Sequence, residues 1–166
     1  MDTAAIGYRI RSYADADRPV LRRMLNALQE AECAMEPNRA HWADGGEAYA
    51  AWMLDEIARS DGAVFLAIAE DGAPIGLVSC WRAEDETDIT VTPAGRVHLY
   101  VSDLYVEPEW RGRGVAGALL AEAERHGRGL GIRQMTIGTL AVNEAARKAY
   151  AKAGFADYEM LLRKPL

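Results

Sequence analysis

The stretch RGRGVAG, residues 111–117, sets Gly112, Gly114 and Gly117 at the spacing G-x-G-x-x-G and interleaves Arg111 and Arg113. These residue types at this spacing suit one kind of chemistry, the holding of a phosphate. Glycines let the backbone approach an anion closely and take positive φ. Arginines add charge and forked donors. The run stands between a β-prone segment and a helical one, and a helix N-terminus offers free amides and the positive end of the helix dipole. A solvated turn would account for the glycines but not for the two arginines among them. A dinucleotide, a nucleoside triphosphate and coenzyme A all carry phosphates that such a loop would hold.

Context separates the three. In a dinucleotide fold the strand runs directly into the first glycine, and a carboxylate ending the next strand holds the ribose. Here Glu107 to Trp110 intervene, and the following strand ends in Gly138-Thr139-Leu140. Too little chain follows the loop for the rest of a dinucleotide domain. No Gly-Lys-Ser/Thr closes the loop, as a triphosphate site with its magnesium ion requires.

The elements that must position this loop follow from periodicity. Tyr8 to Tyr13 alternates as a half-buried strand. Asp17-Arg18-Pro19 starts a helix whose face is Leu21, Met24, Leu25 and Leu28. Glu36 to Gly45 reads as a loop, and Gly46 to Arg59 as a second helix with Tyr49, Trp52, Met53 and Ile57 on one side. Ala63–Ala69 and Pro74–Arg82 form a hairpin about Asp71-Gly72. A polar loop follows, then a strand over Arg96–Val106, the glycine loop and a helix over Val115–Arg128. Arg133–Leu140, Asn143–Ala153 and Phe155–Arg163 read as strand, helix and strand. The order β-α-α-β-β-β-α-β-α-β predicts a mixed α/β domain around a central sheet.

The chain has 166 residues, enough for a single domain over 1–166. Hydrophobic residues at 50% and charged residues at 27% give the balance of a globular protein. The longest strongly apolar run, Ala63–Ala69, is too short to cross a bilayer, and MDTAAIGYRIR carries no apolar export signal. Membrane partners are not expected, and the location implied is cytoplasmic. A net charge of -6 argues against sequence-independent nucleic-acid binding. The acidic run Glu84, Asp85, Glu86 and Asp88 reads as a solvated loop rather than a substrate funnel. Cys33 and Cys80 read as reduced thiols. The sequence gives neither of them metal-ligand spacing to another Cys or His, so no metal is expected.

The run LYVEPEWRGRGVAGALL resembles the acyl-CoA-binding segment of the GNAT superfamily of N-acyltransferases. Arg111, Gly114 and Ala116 meet the family's Arg/Gln-x-x-Gly-x-Gly/Ala signature. Asn143, Ala146, Tyr150, Gly154 and Phe155 in NEAARKAYAKAGF match its C-terminal pattern N-x-x-A-x-x-x-Y-x-x-x-G-F. The motifs cover roughly residues 97–160, the element order extends the likeness to the whole chain, and residues 30–60 match no motif.

The resemblance implies the GNAT fold, a central mostly antiparallel sheet flanked by helices, with CoA held between splayed strands. It implies acetyl-CoA as cosubstrate, with Arg111, Gly112, Arg113, Gly114, Val115, Ala116 and Gly117 at the pyrophosphate. Pantetheine would pair with main-chain groups of Leu104, Tyr105 and Val106, and Asn143 would bond the same arm. Tyr150 falls on the family's general-acid position, and no covalent enzyme intermediate is needed. The activity implied is acetyl transfer to a primary amine of a small molecule or peptide. A non-catalytic acyl-CoA sensor and a structural subunit are the alternatives, and a homodimer is compatible with the architecture.

The base is less legible. Relatives often place a carboxylate or histidine on the strand leading to the loop, and Ser102 stands at the carboxylate position. Strict alternation sets His98, Tyr100, Ser102, Leu104 and Val106 on one face and Asp103 and Tyr105 on the other. On that parity Asp103 points away from the thioester unless a bulge shifts the register. His98 reads as a packed residue. Proton removal through ordered water, with no dominant carboxylate, is the expectation.

Overall fold

The hairpin and the long strand before the glycine loop build the centre of the sheet. The structure, a computed structural model, describes residues 7–85 and 90–164, so Glu86 and Asp88 of the acidic run lie outside the described residues. Strands β1 (Tyr8–Ser12), β2 (Ala63–Ala69), β3 (Pro74–Glu84), β4 (Val97–Val106) and β5 (Met135–Ile137) stand side by side in chain order. All neighbours are antiparallel except β4 and β5, which run parallel. Helices α1 (Arg18–Met35) and α2 (Gly46–Arg59) precede the hairpin. A short α3 (Pro93–Arg96) precedes β4, α4 (Val115–Gly129) follows the glycine loop, and α5 (Glu144–Lys152) follows β5.

Period-2 alternation sorts the strands' apolar side chains onto two faces. Phe65, Ala67, Val78, Leu99 and Val101 pack with Val115, Leu119 and Ala123 of α4. Val64, Leu66, Leu77 and Tyr105 pack with Leu21, Met24 and Met53 of α1 and α2. The long apolar runs of β2 and β3 are therefore runs covered on both sides. Pro19 stands in the first turn of α1, and Arg11 on β1 ties that turn to the sheet through Asp17 at 2.6 Å.

Two expected strands differ. β5 spans only Met135–Ile137 rather than Arg133–Leu140, because its pairing with β4 ends at Val101↔Ile137. The expected strand over Phe155–Arg163 does not form. Strand propensity needs an edge to pair with, and ion pairs hold this segment instead. Asp157 stands 3.5 Å from Arg147, and Arg163 stands 2.7 Å from Glu36 at the end of α1. Tyr158, Met160, Leu161 and Leu162 stay exposed.

β4 is bulged. Ser79 stands opposite Asp103, while Cys80 stands opposite Val101, so Ser102 is an extra residue in the ladder. Before it, Leu99 and Val101 face α4 and Tyr100 faces α1 and α2. After it, Leu104 and Val106 face α4, while Tyr105 faces α1 and α2. The strict alternation read from the sequence therefore fails at Ser102, and Asp103 shares a face with Tyr100 rather than opposing it.

Candidate active site

The bulge and the short β5 open the sheet. Below Val101, β4 is paired on both sides; from Ser102 to Val106 it keeps β3 alone. A cleft of about 1050 Å³ fills the gap. Leu104, Tyr105 and Val106 form its floor, the glycine loop and α4 one wall, α5 another, and Leu28, Ala31, Glu32 and Met35 of α1 the rim.

Gly112 and Gly114 hold φ of 74° and 85°, values that a Cβ would strain. Gly114 is the N-cap of α4 and supplies no side-chain cap. The first helical bond runs from the Ala118 N–H to the Gly114 carbonyl at 3.0 Å. Among the described residues the amides of Val115, Ala116 and Gly117 have no protein partner, as at any helix start, and here they border the cleft. The Arg111 Nε donates to the Val106 carbonyl at 3.0 Å, joining the loop to the end of β4, and among the described residues the guanidinium's outer donors have no partner. Of the residues assigned to the cofactor from the sequence, Arg113 alone is not in the cleft lining; its guanidinium lies 5.2 Å from the centre of the Trp110 ring.

Asn143 caps α5, its Oδ1 accepting from the Ala146 N–H at 3.1 Å, and its NH2 group remains available to the cleft. Tyr150 lies two turns further on, half-buried and packed against the α4 side of the core. Its hydroxyl makes no hydrogen bond among the described residues. Burial, then the charges of Glu32 and Asp103, push its pKa up to about 12. The phenol is held protonated, the state a proton donor needs.

Sequence reasoning missed the polar cluster behind the β4 floor. Asp103 is buried at 6% exposure. Its Oδ2 lies 2.7 Å from Ser79 Oγ, 2.6 Å from Ser102 Oγ and 2.9 Å from Tyr49 Oη, and Tyr49 also reaches Oδ1 at 3.0 Å. The two serine oxygens stand 2.7 Å apart. The Ser79, Ser102 and Tyr49 hydroxyls all donate to the Asp103 carboxyl, which is the acceptor at the centre of the cluster. Burial raises the Asp103 pKa, and the hydroxyls of Ser102, Ser79 and Tyr49 oppose that rise. The sequence carries one sign of this cluster, a serine in the middle of the otherwise apolar run PIGLVSCW. His98 Nδ1 lies 3.2 Å from the Arg96 carbonyl at the end of α3, and the ring is a packed residue.

A mixed sheet that parts over a glycine-lined helix start, with an extended floor, has the architecture of a CoA-dependent acyltransferase. The chain belongs to the acetyltransferase (GNAT) family, which matches residues 23–155. It is an acetyl-CoA-dependent N-acetyltransferase of that family. Over 117 residues it is 32% identical to an aminoglycoside N(6')-acetyltransferase type 1 of Stenotrophomonas maltophilia, covering 69% of this chain and 74% of that protein. Among solved structures, AAC(6')-Iy in complex with the bisubstrate analog CoA-S-monomethyl-acetylneamine superposes with a TM-score of 0.66 at 24% identity, covering 96% of this chain and 97% of the other. The aminoglycoside 6'-N-acetyltransferase AAC(6')-Ih of Acinetobacter baumannii gives 0.70 at 14% identity, covering 96% and 98%. At these identities the structures speak to the fold. Among the described residues no helix is long and apolar enough to cross a membrane.

Proposed function

We propose that the protein acetylates a primary amine of a cationic, sugar-based small molecule of the aminoglycoside type. The observation that carries this reading is Glu32, a carboxylate on the cleft rim that pairs with Arg39 at 3.5 Å and acts, with Asp103, on Tyr100 at the end of an aromatic row. Tyr49, Trp52, Trp81 and Tyr100 follow one another at centroid distances of 5.8, 5.8 and 5.2 Å, and Trp52 is 49% exposed. Carboxylates hold ammonium groups, and ring faces receive cations and sugar C–H surfaces. The S. maltophilia relative's name points to the same acceptor class.

In this reading the free amides of residues 115–117 and Arg111 hold the pyrophosphate. Pantetheine pairs along Leu104–Val106, with Asn143 bonding the arm. The acceptor arrives as an ammonium, since an alkyl amine has a pKa of about 10. Its proton passes through the Ser102 hydroxyl to Asp103. The neutral nitrogen attacks the thioester carbonyl, the C–N bond forms, and the C–S bond breaks as Tyr150 protonates the departing sulfur. The acetylated nitrogen sheds its second proton, which restores Tyr150, and Asp103 returns its proton to solvent. A sensor has no use for a free phenol in the cleft.

Two further points belong here. The exposed Tyr158, Met160, Leu161 and Leu162 support a homodimer that covers them. The free thiols Cys33 and Cys80 support a reducing, cytoplasmic location.

The test is CoA release with a panel of amines. An aminoglycoside carrying a 6'-amine should be acetylated at that nitrogen, and the same scaffold with a 6'-hydroxyl should be at least about a hundredfold slower. Equal rates on both, or turnover only with peptides or amino acids, would overturn the assignment of the acceptor.

A further inference from the structure

Outside the cleft, the fold gathers three metal-ligating side chains that the sequence spacing keeps apart. Glu30 and Cys33 lie one turn apart on the same face of α1. The loop after α1 then folds back and brings His41 beside them. The Glu30, Cys33 and His41 ligand atoms all lie within 4.8 Å of one another. The closure is specific. Glu30 Oε1 accepts the Trp42 N–H at 2.9 Å, and Oε2 lies 2.8 Å from His41 Nδ1. Cys33 Sγ faces the main-chain carbonyls of Ala40 at 3.2 Å and Arg39 at 3.5 Å. Gln29 Nε2 donates to the Ala40 carbonyl at 2.6 Å, which fixes the loop backbone over the helix.

We propose that Glu30, Cys33 and His41 form a zinc-binding site that clips the loop between α1 and α2. A thiolate, an imidazole and a carboxylate make the borderline-soft donor set that selects zinc over calcium or magnesium. Zinc bonds of about 2.0–2.3 Å put tetrahedral ligands roughly 3.5 Å apart. The three side chains reach that spacing by small rotations, since Glu30 and His41 are exposed and Cys33 half-buried. Water takes the fourth position. Glu32 and Asp44 stand near enough to act on the thiol and add negative field, which the Arg39 guanidinium, paired with Glu32 at 3.5 Å, partly offsets. On binding, the Cys33 S–H proton leaves to solvent as the Zn–S bond forms, with no change of oxidation state.

The ion would act by position rather than in the transfer chemistry. The far side of this same turn of α1 carries Ala31, Glu32 and Met35, which rim the cleft. The clipped loop leads through Trp42 into α2, whose Tyr49 bonds Asp103. A bound ion would therefore hold the acceptor side of the cleft in place.

The experiment uses untagged, reduced, chelator-stripped protein. Zinc binding is read by competition with a chromophoric chelator, and geometry by cobalt substitution. Wild type should bind one zinc per chain at micromolar concentration or below and melt higher with zinc. The cobalt form should show a thiolate charge-transfer band. Cys33→Ser and His41→Ala should each weaken binding at least about tenfold, and Cys33→Ser should lose the band. Neither residue touches the cleft, so both variants should keep the acetyl-CoA thermal shift, which certifies their fold. Binding no tighter than millimolar in wild type, or wild-type affinity in either variant, would overturn the site.

Discussion

Ser102 and Asp103 are neighbours in a strand, yet their side chains meet, Ser102 Oγ lying 2.6 Å from Asp103 Oδ2. Regular alternation would send them to opposite faces. The extra residue in β4 turns both toward α1 and α2 and puts Ser79 across from Asp103, and the pairing with β5 ends one residue before it, where the cleft begins. One irregularity thus accompanies the opening of the sheet and assembles the hydrogen-bonded cluster behind it.

Tyr150→Phe should retain acetyl-CoA affinity within about threefold, because the ring still packs on the α4 side of the core. Its kcat should fall by roughly 10²–10⁴, the span of general acid–base catalysis. Isothermal titration beside single-turnover kinetics checks both halves. Unchanged chemistry would return Tyr150 to a packing role.

Acetyl-CoA should raise the melting temperature, since a ligand that binds only the folded state stabilises it. NAD and ATP should do far less. Gly114→Glu should abolish the shift, because it places a side chain at a φ of 85° and a negative charge at the free amides. Equal shifts from all three ligands would refute the assignment of the loop.

Much of this site is legible in the sequence. The glycine loop, Asn143 and Tyr150 belong to one stretch of chain, and local spacing suffices to read them. α2 spans Gly46–Arg59, as its periodicity implies. The rest depends on what lies across from a residue. The bulge at Ser102 exists only in the register with β3. The tail after Gly154 is as β-prone as a strand but meets ion-pair partners instead of an edge. Cys33 and His41 are unremarkable in sequence, and a returning loop makes them neighbours.

The link between β1 and α1 sets an acid limit on stability. Arg11 holds the Asp17 carboxyl down to about 2, aided by the Ala14 N–H. A depressed carboxylate contributes stability above its unfolded value of about 4 and loses it as pH falls through the folded value. Asp17→Asn should cost on the order of 1 kcal/mol at neutral pH. The difference from wild type should shrink below pH of about 4 and vanish only below about 2. Denaturant melts across that range measure it, and a constant difference would show that the charge is not the cause.

The central claim, that the amine's proton goes through Ser102 to Asp103, is tested most directly by the pH dependence of kcat/KM for wild type and Asp103→Asn. Asp103 must be ionised to accept a proton, so wild-type kcat/KM should rise with pH through an ionisation above the ordinary carboxylate value of about 4. In Asp103→Asn, folded by its acetyl-CoA thermal shift, that ionisation should disappear and kcat/KM should fall about a hundredfold or more. Matching profiles that both climb toward the amine's own pKa of about 10, with less than about a tenfold loss, would contradict the account and assign proton removal to water.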